Sequence, residues 1–315
     1  MNLFRNLIWL FFAVGLFASW QLCRAGDYQA ESVVLFARMT TAPPDADTKY
    51  AIDSEIRSLK KLGLWDTVFD AMWFFSGHDQ TESKLDWIGT SDATELSTPT
   101  WTIHQGFLSN GALKAINTNF QLVTDATNYA LTDASFAVYS RTDVGEAIGD
   151  YDMGCGTVGG GYFARILIRR SDNLTLLNFN NNNAELGNTA NSLGLFVGER
   201  NGAVQNLYKN GVAIDLGLSR VATTVPDLNV YIGGWNSSGT LANPTAREWA
   251  FAGIGKHLTT QQHADLFTCI EAWMDYWGTG VVAGTTEFPY PSLFSEETEV
   301  KRTFELKHLP KLKSN

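Results

Sequence analysis

Two aspartates, Asp150 and Asp152, stand two residues apart in a strand-like context. On an extended backbone such side chains point to one side of a sheet, so the pair offers two carboxyl groups together. That is the equipment of a general acid and base acting on a glycosidic bond. The same spacing at a sheet edge gives a solvated rim, or a loop that binds a cation, and Glu146 nearby does not change this choice. A second chemistry comes from aromatic rings beside amides. Trp235 and Asn236, followed by two serines, lie at a strand end, and Tyr208 and Lys209 lie beside a hairpin turn. A flat ring packs on the apolar face of a pyranose while an amide hydrogen-bonds its hydroxyls. These four are the expected ligand-binding residues, although a tryptophan in such a place also serves a sandwich core.

Other catalytic equipment is missing from the sequence. It contains no G-x-S-x-G, H-E-x-x-H, Walker A or C-x-x-C pattern. The glycine-rich run at 154–161 lacks G-x-G-x-x-G spacing and does not open a helix, which argues against a phosphate cradle. His78, His104, His257, His263 and His308 have no metal-ligand spacing and read as isolated, partly solvated side chains. No metal site or cofactor is expected, a structural calcium ion excepted. The formal charge of −10 excludes nucleic acid as the main partner, because phosphate binding needs a basic surface. The one basic cluster, at 301–315, reads as a solvated tail.

The elements that must position these residues are mostly strands. From about Thr98, runs at 100–108, 112–117, 133–141, 162–170, 174–179, 193–199, 204–209, 212–217, 228–235 and 247–256 are separated by Gly, Asn and Asp clusters. Asn210-Gly211 suits a type I′ hairpin turn. The run from Trp249 to Ile254 is apolar on both faces, as in a strand packed between two layers. A helix follows it. Thr259 and Gln262 make a capping box, Leu266, Phe267, Ile270, Trp273, Met274 and Trp277 form its apolar stripe, and Gly278 suits its end. Near the N-terminus, SVVLFARMT at 32–40 reads as a strand. A helix capped by Asp47 or Thr48 and ended by Gly63 comes next, and then a buried strand in TVFDAMWFFSG. The stretches at 154–161 and 178–186 read as loops.

Composition points the same way: only 18% of residues are charged and Gly, Trp and Phe are plentiful, a balance suited to a β-rich extracellular or virion protein. Residues 1–25 form a signal-like apolar segment with cleavage expected after Ala25, the run being short for a membrane span. Membrane contact is expected only through this segment if it is uncleaved. Removal would leave Cys155 and Cys269. An even pair in an exported protein invites a disulfide, while their glycine-rich and helical surroundings suit free buried thiols. Residues 26–278 then form one sandwich domain, with an extended arm or linker at 279–315.

Three pieces of the chain, the block IDSEIRSLKKLGLWDTVFDAMWFFSGHDQTESKLDWIG, the YKNGV hairpin and the AREWAFAGIGKHLTTQQHADLFTCIEAWM strand and helix, resemble the concanavalin A-like lectin/glucanase superfamily. Within it they are similar to the LamG-like domains of bacteriophage virion proteins. The likeness covers about residues 31–277. It implies a mainly β fold: a two-sheet antiparallel jelly-roll sandwich with a short N-terminal helix and a C-terminal helix packed on the outside. The glucanase branch carries an E-x-D-x-E or E-x-D-x-x-E strand that this sequence lacks. The expectation is therefore a non-catalytic lectin-like protein, virion-surface or secreted, binding glycan or a neighbouring virion structural protein. The alternatives are a secreted polysaccharide hydrolase or lyase using Asp150 and Asp152, and a purely structural capsid or tail decoration protein.

Overall fold

The computed structural model describes residues 28–147, 149–157, 159–182 and 185–283. The signal-like segment 1–25, His308 and most of the expected C-terminal arm lie outside the described residues. The chain begins with helices α1 (Ala30–Arg38), α2 (Ala46–Lys61) and the single turn α3 (Trp65–Val68), and α3 runs straight into β1 (Phe69–Phe74). Short strands β2 (Thr94–Leu96), β3 (Thr100–Thr102) and β4 (Gly106–Leu108) follow, then β5 (Ala115–Gln121), β6 (Asp133–Ser140), β7 (Met153–Thr157), β8 (Tyr162–Leu167) and β9 (Leu174–Asn181). The second half holds β10 (Glu185–Asn188), β11 (Gly194–Asn201), β12 (Val204–Lys209), β13 (Val212–Ser219) and β14 (Asn229–Ile232). It closes with β15 (Trp235–Ser237), β16 (Thr240–Ala242), β17 (Glu248–Gly255) and helix α4 (Thr260–Tyr276).

The strands form two sheets. Sheet A has the order β13-β12-β11-β6-β17-β4-β3, with β1 also paired to β17, and sheet B the order β10-β9-β8-β7-β14-β5-β2 with the β15–β16 hairpin beside β7. Nearly all pairings are antiparallel. Side-chain alternation divides the apolar residues into layers. Phe136 and Val138 of β6, Phe196 of β11, and Trp249, Ala252 and Ile254 of β17 meet Ile116, Met153, Ile166, Leu177 and Phe179 of sheet B between the sheets. The opposite phase of sheet A, including Tyr139, Val197 and Phe251, packs beneath the helices with Ile56, Leu266, Ile270 and Trp273. β17 is thus buried on both faces. Helix α4 is fixed where its sequence directs it: Thr259 and Gln262 satisfy each other's backbone amides, and Trp277 and Gly278 close it with Gly278 at φ 68°. The Asn210-Gly211 turn has positive φ at both residues, 50° and 75°, as a type I′ turn requires. It abuts α4 so closely that a Cβ on Gly211 would lie 2.8 Å from Ala264 Cα.

Several sequence expectations are corrected. Residues 32–38 are helical, not extended. The β preference of Val33 and Val34 is local and both remain exposed, while Leu35 and Met39 enter the core and Ser32 Oγ donates to Asp53 Oδ1 on α2 at 2.6 Å. Tertiary anchoring overrides propensity here. Helix α2 is capped by Asp45, which accepts from the Thr48 amide. The glycine-rich run includes a strand, β7, between β14 and β8. The 100–108 run is a hairpin, broken at His104 with φ 58°. Cys155 and Cys269 are both buried and are not joined by a disulfide. His263 is not solvated: it is buried, meets Glu199 Oε2 at 3.0 Å and stacks on Tyr208 at 3.4 Å. The first residues after α4 pack back on the fold, with Val281 N donating to Tyr139 Oη.

Candidate functional site

Because the helices cover sheet A, the face left for recognition is the outer face of sheet B. Strand register sets one row of residues across it. Thr94 lies opposite Asn117, Asn117 opposite Tyr231, Tyr231 opposite Gly154, Gly154 opposite Arg165 and Arg165 opposite Asn178. Each strand places its alternate residues in the inter-sheet core, so the row takes the outward phase. Below the row, Tyr151, Leu167, Leu176 and Trp235 make a small apolar cluster with Phe163 and Ala242 against them.

Arg165 sits at the junction of row and cluster. Its guanidinium carbon lies 3.8 Å from the Phe163 ring centroid, 4.0 Å from that of Tyr151 and 4.7 Å from that of Trp235. Such geometry is attractive because ring faces carry negative potential. Arg165 Nε donates to Asn178 Oδ1 at 3.0 Å, which fixes the plane of the fork. Its two terminal amino groups make no hydrogen bond among the described residues, and they are not sealed from solvent. The same holds for the Tyr151 hydroxyl. Burial pulls the guanidinium down to about 10, so it remains a cation at neutral pH. Burial raises the Tyr151 phenol, and both Arg165 and Arg170 oppose that rise, which puts two cations within electrostatic reach of one hydroxyl. Gly154 makes the arrangement possible. A Cβ there would fall 2.3 Å from Arg165 Cβ and 2.5 Å from Ala164 O, so any side chain would push the arginine away.

The residues expected from sequence fare differently. Trp235 is 5% exposed and supports Arg165 as part of the apolar cluster, which corrects its reading as an exposed platform. Asn236 is buried, its Nδ2 donating to Asn229 O and its Oδ1 accepting from Gly239 N, so it holds the β15–β16 hairpin. Tyr208 and Lys209 lie on sheet A, far from this row. Tyr208 stacks on His263, and Lys209 Nζ donates to Asn191 O at 2.9 Å and to Asn191 Oδ1 at 2.6 Å. Asp150 and Asp152 precede β7, and they do not act together. Asp152 is fully buried, ion-paired to an equally buried Arg247 and accepting from Ile168 N at 2.6 Å. Arg247 Nη2 further donates to Val144 O at 2.7 Å and Arg169 O at 2.5 Å, so the pair clamps the two sheets at one end. Asp150 is half-buried and caps the Ala147 amide, with burial raising its carboxyl. Glu146 is spent on the Ala246 amide.

Arg165 was missed because nothing marks it in the sequence except a charge at the outward phase of an apolar strand. That signal is readable, but its aromatic partners come from three separate segments. Elsewhere, a small hollow lined by Met39, Ile52, Phe74, His78, Glu82, Trp87 and Trp273 lies under the helices. Its polar groups are committed to the 41–42 backbone: Glu82 accepts from Thr41 N and Ala42 N, and His78 bonds Ala42 O. Among the described residues no group of three or more His, Cys, Asp or Glu side chains is placed to hold a metal ion. Nor, among them, is any helix long and apolar enough to cross a membrane.

No protein-family model matches the chain, and neither does any curated protein sequence. Among solved structures, it is similar to domain 4 of a GH43 extracellular arabinanase from Geobacillus stearothermophilus in complex with arabinotriose. That match has 14% identity and a TM-score of 0.43 over 63% of this chain and 98% of that one. Trypanosoma rangeli sialidase, as its covalent intermediate with 2,3-difluorosialic acid, matches at 12% identity and TM-score 0.47, over 74% of this chain and 40% of the sialidase. The CBM40 of Ruminococcus gnavus IT-sialidase bound to α2,6-sialyllactose matches at 14% identity and TM-score 0.37, over 57% of this chain and 99% of that one. At these scores the likenesses assign no activity; the sandwich rests on the strand pairings above.

Proposed function

We propose that this chain is a carbohydrate-binding protein, exported or displayed on a virion surface, that engages glycan on the outer face of sheet B. The observation that carries it is the row Thr94, Asn117, Tyr231 and Arg165, a hydroxyl-, amide- and guanidinium-bearing line that the helices leave uncovered, with Thr94 exposed, Asn117 and Arg165 half-buried, Tyr231 largely buried, and the fully buried Asn178 serving to hold Arg165. An extended sugar chain needs such a set: spaced hydrogen-bonding groups on a rigid sheet with ring faces at one end. Export is supported by the apolar segment at 7–20, and the low charge content suits an extracellular or a virion protein alike. The hydrolase alternative needed two acids within reach of a substrate, and Asp152 is shut in an ion pair with Arg247. The buried Asp152 thus supports, within this proposal, recognition over turnover by that acid pair.

The test is binding of the purified chain to an immobilised glycan panel, repeated with Asn117→Ala combined with Tyr231→Phe. Each change removes one hydrogen-bonding group at ~1 kcal/mol, so affinity should fall by about tenfold or more with the fold retained, a small fall in melting temperature being expected because Asn117 Oδ1 also accepts from Asn119 N. Absence of binding to every glycan, together with co-purification on capsid or tail particles, would replace this proposal with a decoration role.

A further inference from the structure

We infer that Arg165 receives the carboxylate of an acidic sugar, so that the glycans recognised are uronate- or sialate-type polymers rather than neutral ones; this rests on the glycan-binding reading above. A surface arginine that only solvates itself has no need of a built support. Arg165 has one on four sides: Tyr151, Phe163 and Trp235 pack on its guanidinium and Asn178 holds Nε. The remaining donors are the two terminal amino groups, which face solvent without a hydrogen-bond partner among the described residues. Among the described residues no carboxylate takes them, although the chain carries 33 acidic residues and seven other arginines, Arg38, Arg57, Arg141, Arg169, Arg170, Arg247 and Arg200, are paired with carboxylates or backbone carbonyls.

A planar fork with both ends free matches the two oxygens of a carboxylate. The apolar rings around it lower the local dielectric, which strengthens a charge-assisted hydrogen bond. The free Tyr151 hydroxyl beside it is placed to bond a neighbouring sugar hydroxyl or the same carboxylate. In a protein of net charge −10, a polyanion would not approach the surface at large, so selectivity for it must come from a local cationic site. Arg165 with Arg170 beyond Tyr151 supplies that spot.

The experiment is affinity electrophoresis or calorimetric titration of the full chain against polygalacturonate, polysialic acid, dextran and dextran sulfate, at two salt concentrations, with Arg165→Gln, Arg165→Lys and Tyr151→Phe. Binding to a carboxylated polymer is expected, with dextran not bound. Arg165→Gln should weaken it at least tenfold and Arg165→Lys nearly as much, since the ammonium lacks the fork, while Tyr151→Phe should weaken it a few-fold without altering the fold. If Arg165→Gln does not fold, competition of wild-type binding by free galacturonate or sialic acid decides in its place. Binding to dextran that is indifferent to Arg165 would overturn this inference and leave the glycan-binding reading standing. Equal, salt-labile binding to dextran sulfate would overturn the carboxylate in favour of charge alone. No retention by any polymer would overturn both.

Discussion

Replacing Trp273 by alanine tests whether helix α4 belongs to the core or merely lies on it. The indole is 1% exposed, packs edge-on against Phe74, Trp87 and Trp277 at 5.3, 5.5 and 5.8 Å between centroids, and donates from Nε1 to Ser76 Oγ at 2.9 Å. Truncating a buried tryptophan to alanine costs about 3–5 kcal/mol through lost transfer energy and the cavity left behind. Three aromatic contacts, each adding ~0.5–1.5 kcal/mol to simple burial, and a hydrogen bond contributing ~1 kcal/mol put this site at the upper end, about 4–5 kcal/mol. For a domain of this size each kcal/mol moves Tm by about 2–4 °C, so a fall of roughly 8–20 °C is expected in thermal unfolding followed by circular dichroism. Trp273→Phe keeps most of the ring and loses the hydrogen bond, and should fall by only a third to a half as much. A Tm for Trp273→Ala within about 3 °C of wild type would refute the reasoning, because it would mean that α4 is peripheral and sheet A does not need its cover.

Arg247→Met should destabilise by about 3–5 kcal/mol in urea titrations because it strands the buried Asp152 carboxylate. Adding Asp152→Asn to that variant should restore part of the loss, and an additive double variant would deny the coupling. Glu55 is buried with no partner on either oxygen among the described residues, and burial raises its carboxyl well above the usual range. The folded state therefore binds this proton more tightly than the unfolded one, and the stability it brings is full below about pH 4.5 and is lost as pH rises toward the folded value. Wild-type urea midpoints should thus fall between pH 5 and 8 relative to those of Glu55→Gln, and parallel profiles would count against it. Gly154→Ala should cost ~1–3 kcal/mol as an overpacking change and displace Arg165. Loss of glycan binding larger than in Tyr231→Phe would register the displacement, and unchanged binding would show that Arg165 is not held over that glycine.

Local signals carried much of this fold. The capping box at Thr259 and Gln262, the helical stripe of α4, the paired positive-φ turn at Asn210-Gly211 and the two-sided apolar run of β17 each act within a few residues, so their physical cause is contained in the sequence that shows them. Most strand positions followed from the same alternation, although the stretch 178–186, read as a loop, holds the end of β9 and the start of β10, strands whose pairing with each other completes backbone hydrogen bonds. Where tertiary contacts outweighed local preference, the sequence misled: α1 is helical because Leu35 and Ser32 dock on α2 despite two adjacent valines, and Met153–Thr157 is a strand because neighbours on both sides complete its hydrogen bonds, despite its glycines. The site shows the same division more sharply. Asp152 and Trp235 carry the residue types of a catalytic acid and a sugar platform, yet burial against Arg247 and beneath Arg165 makes both of them supports. Arg165 is unremarkable in sequence and becomes the proposed recognition group, half-buried with its terminal amino groups open, only because Tyr151, Phe163, Asn178 and Trp235, spread over 85 positions of the chain, converge on one face of sheet B. Composition and periodicity fix which residues can pack or turn; which polar atom is left without a partner depends on every neighbour at once, and that is decided only when the sheets close.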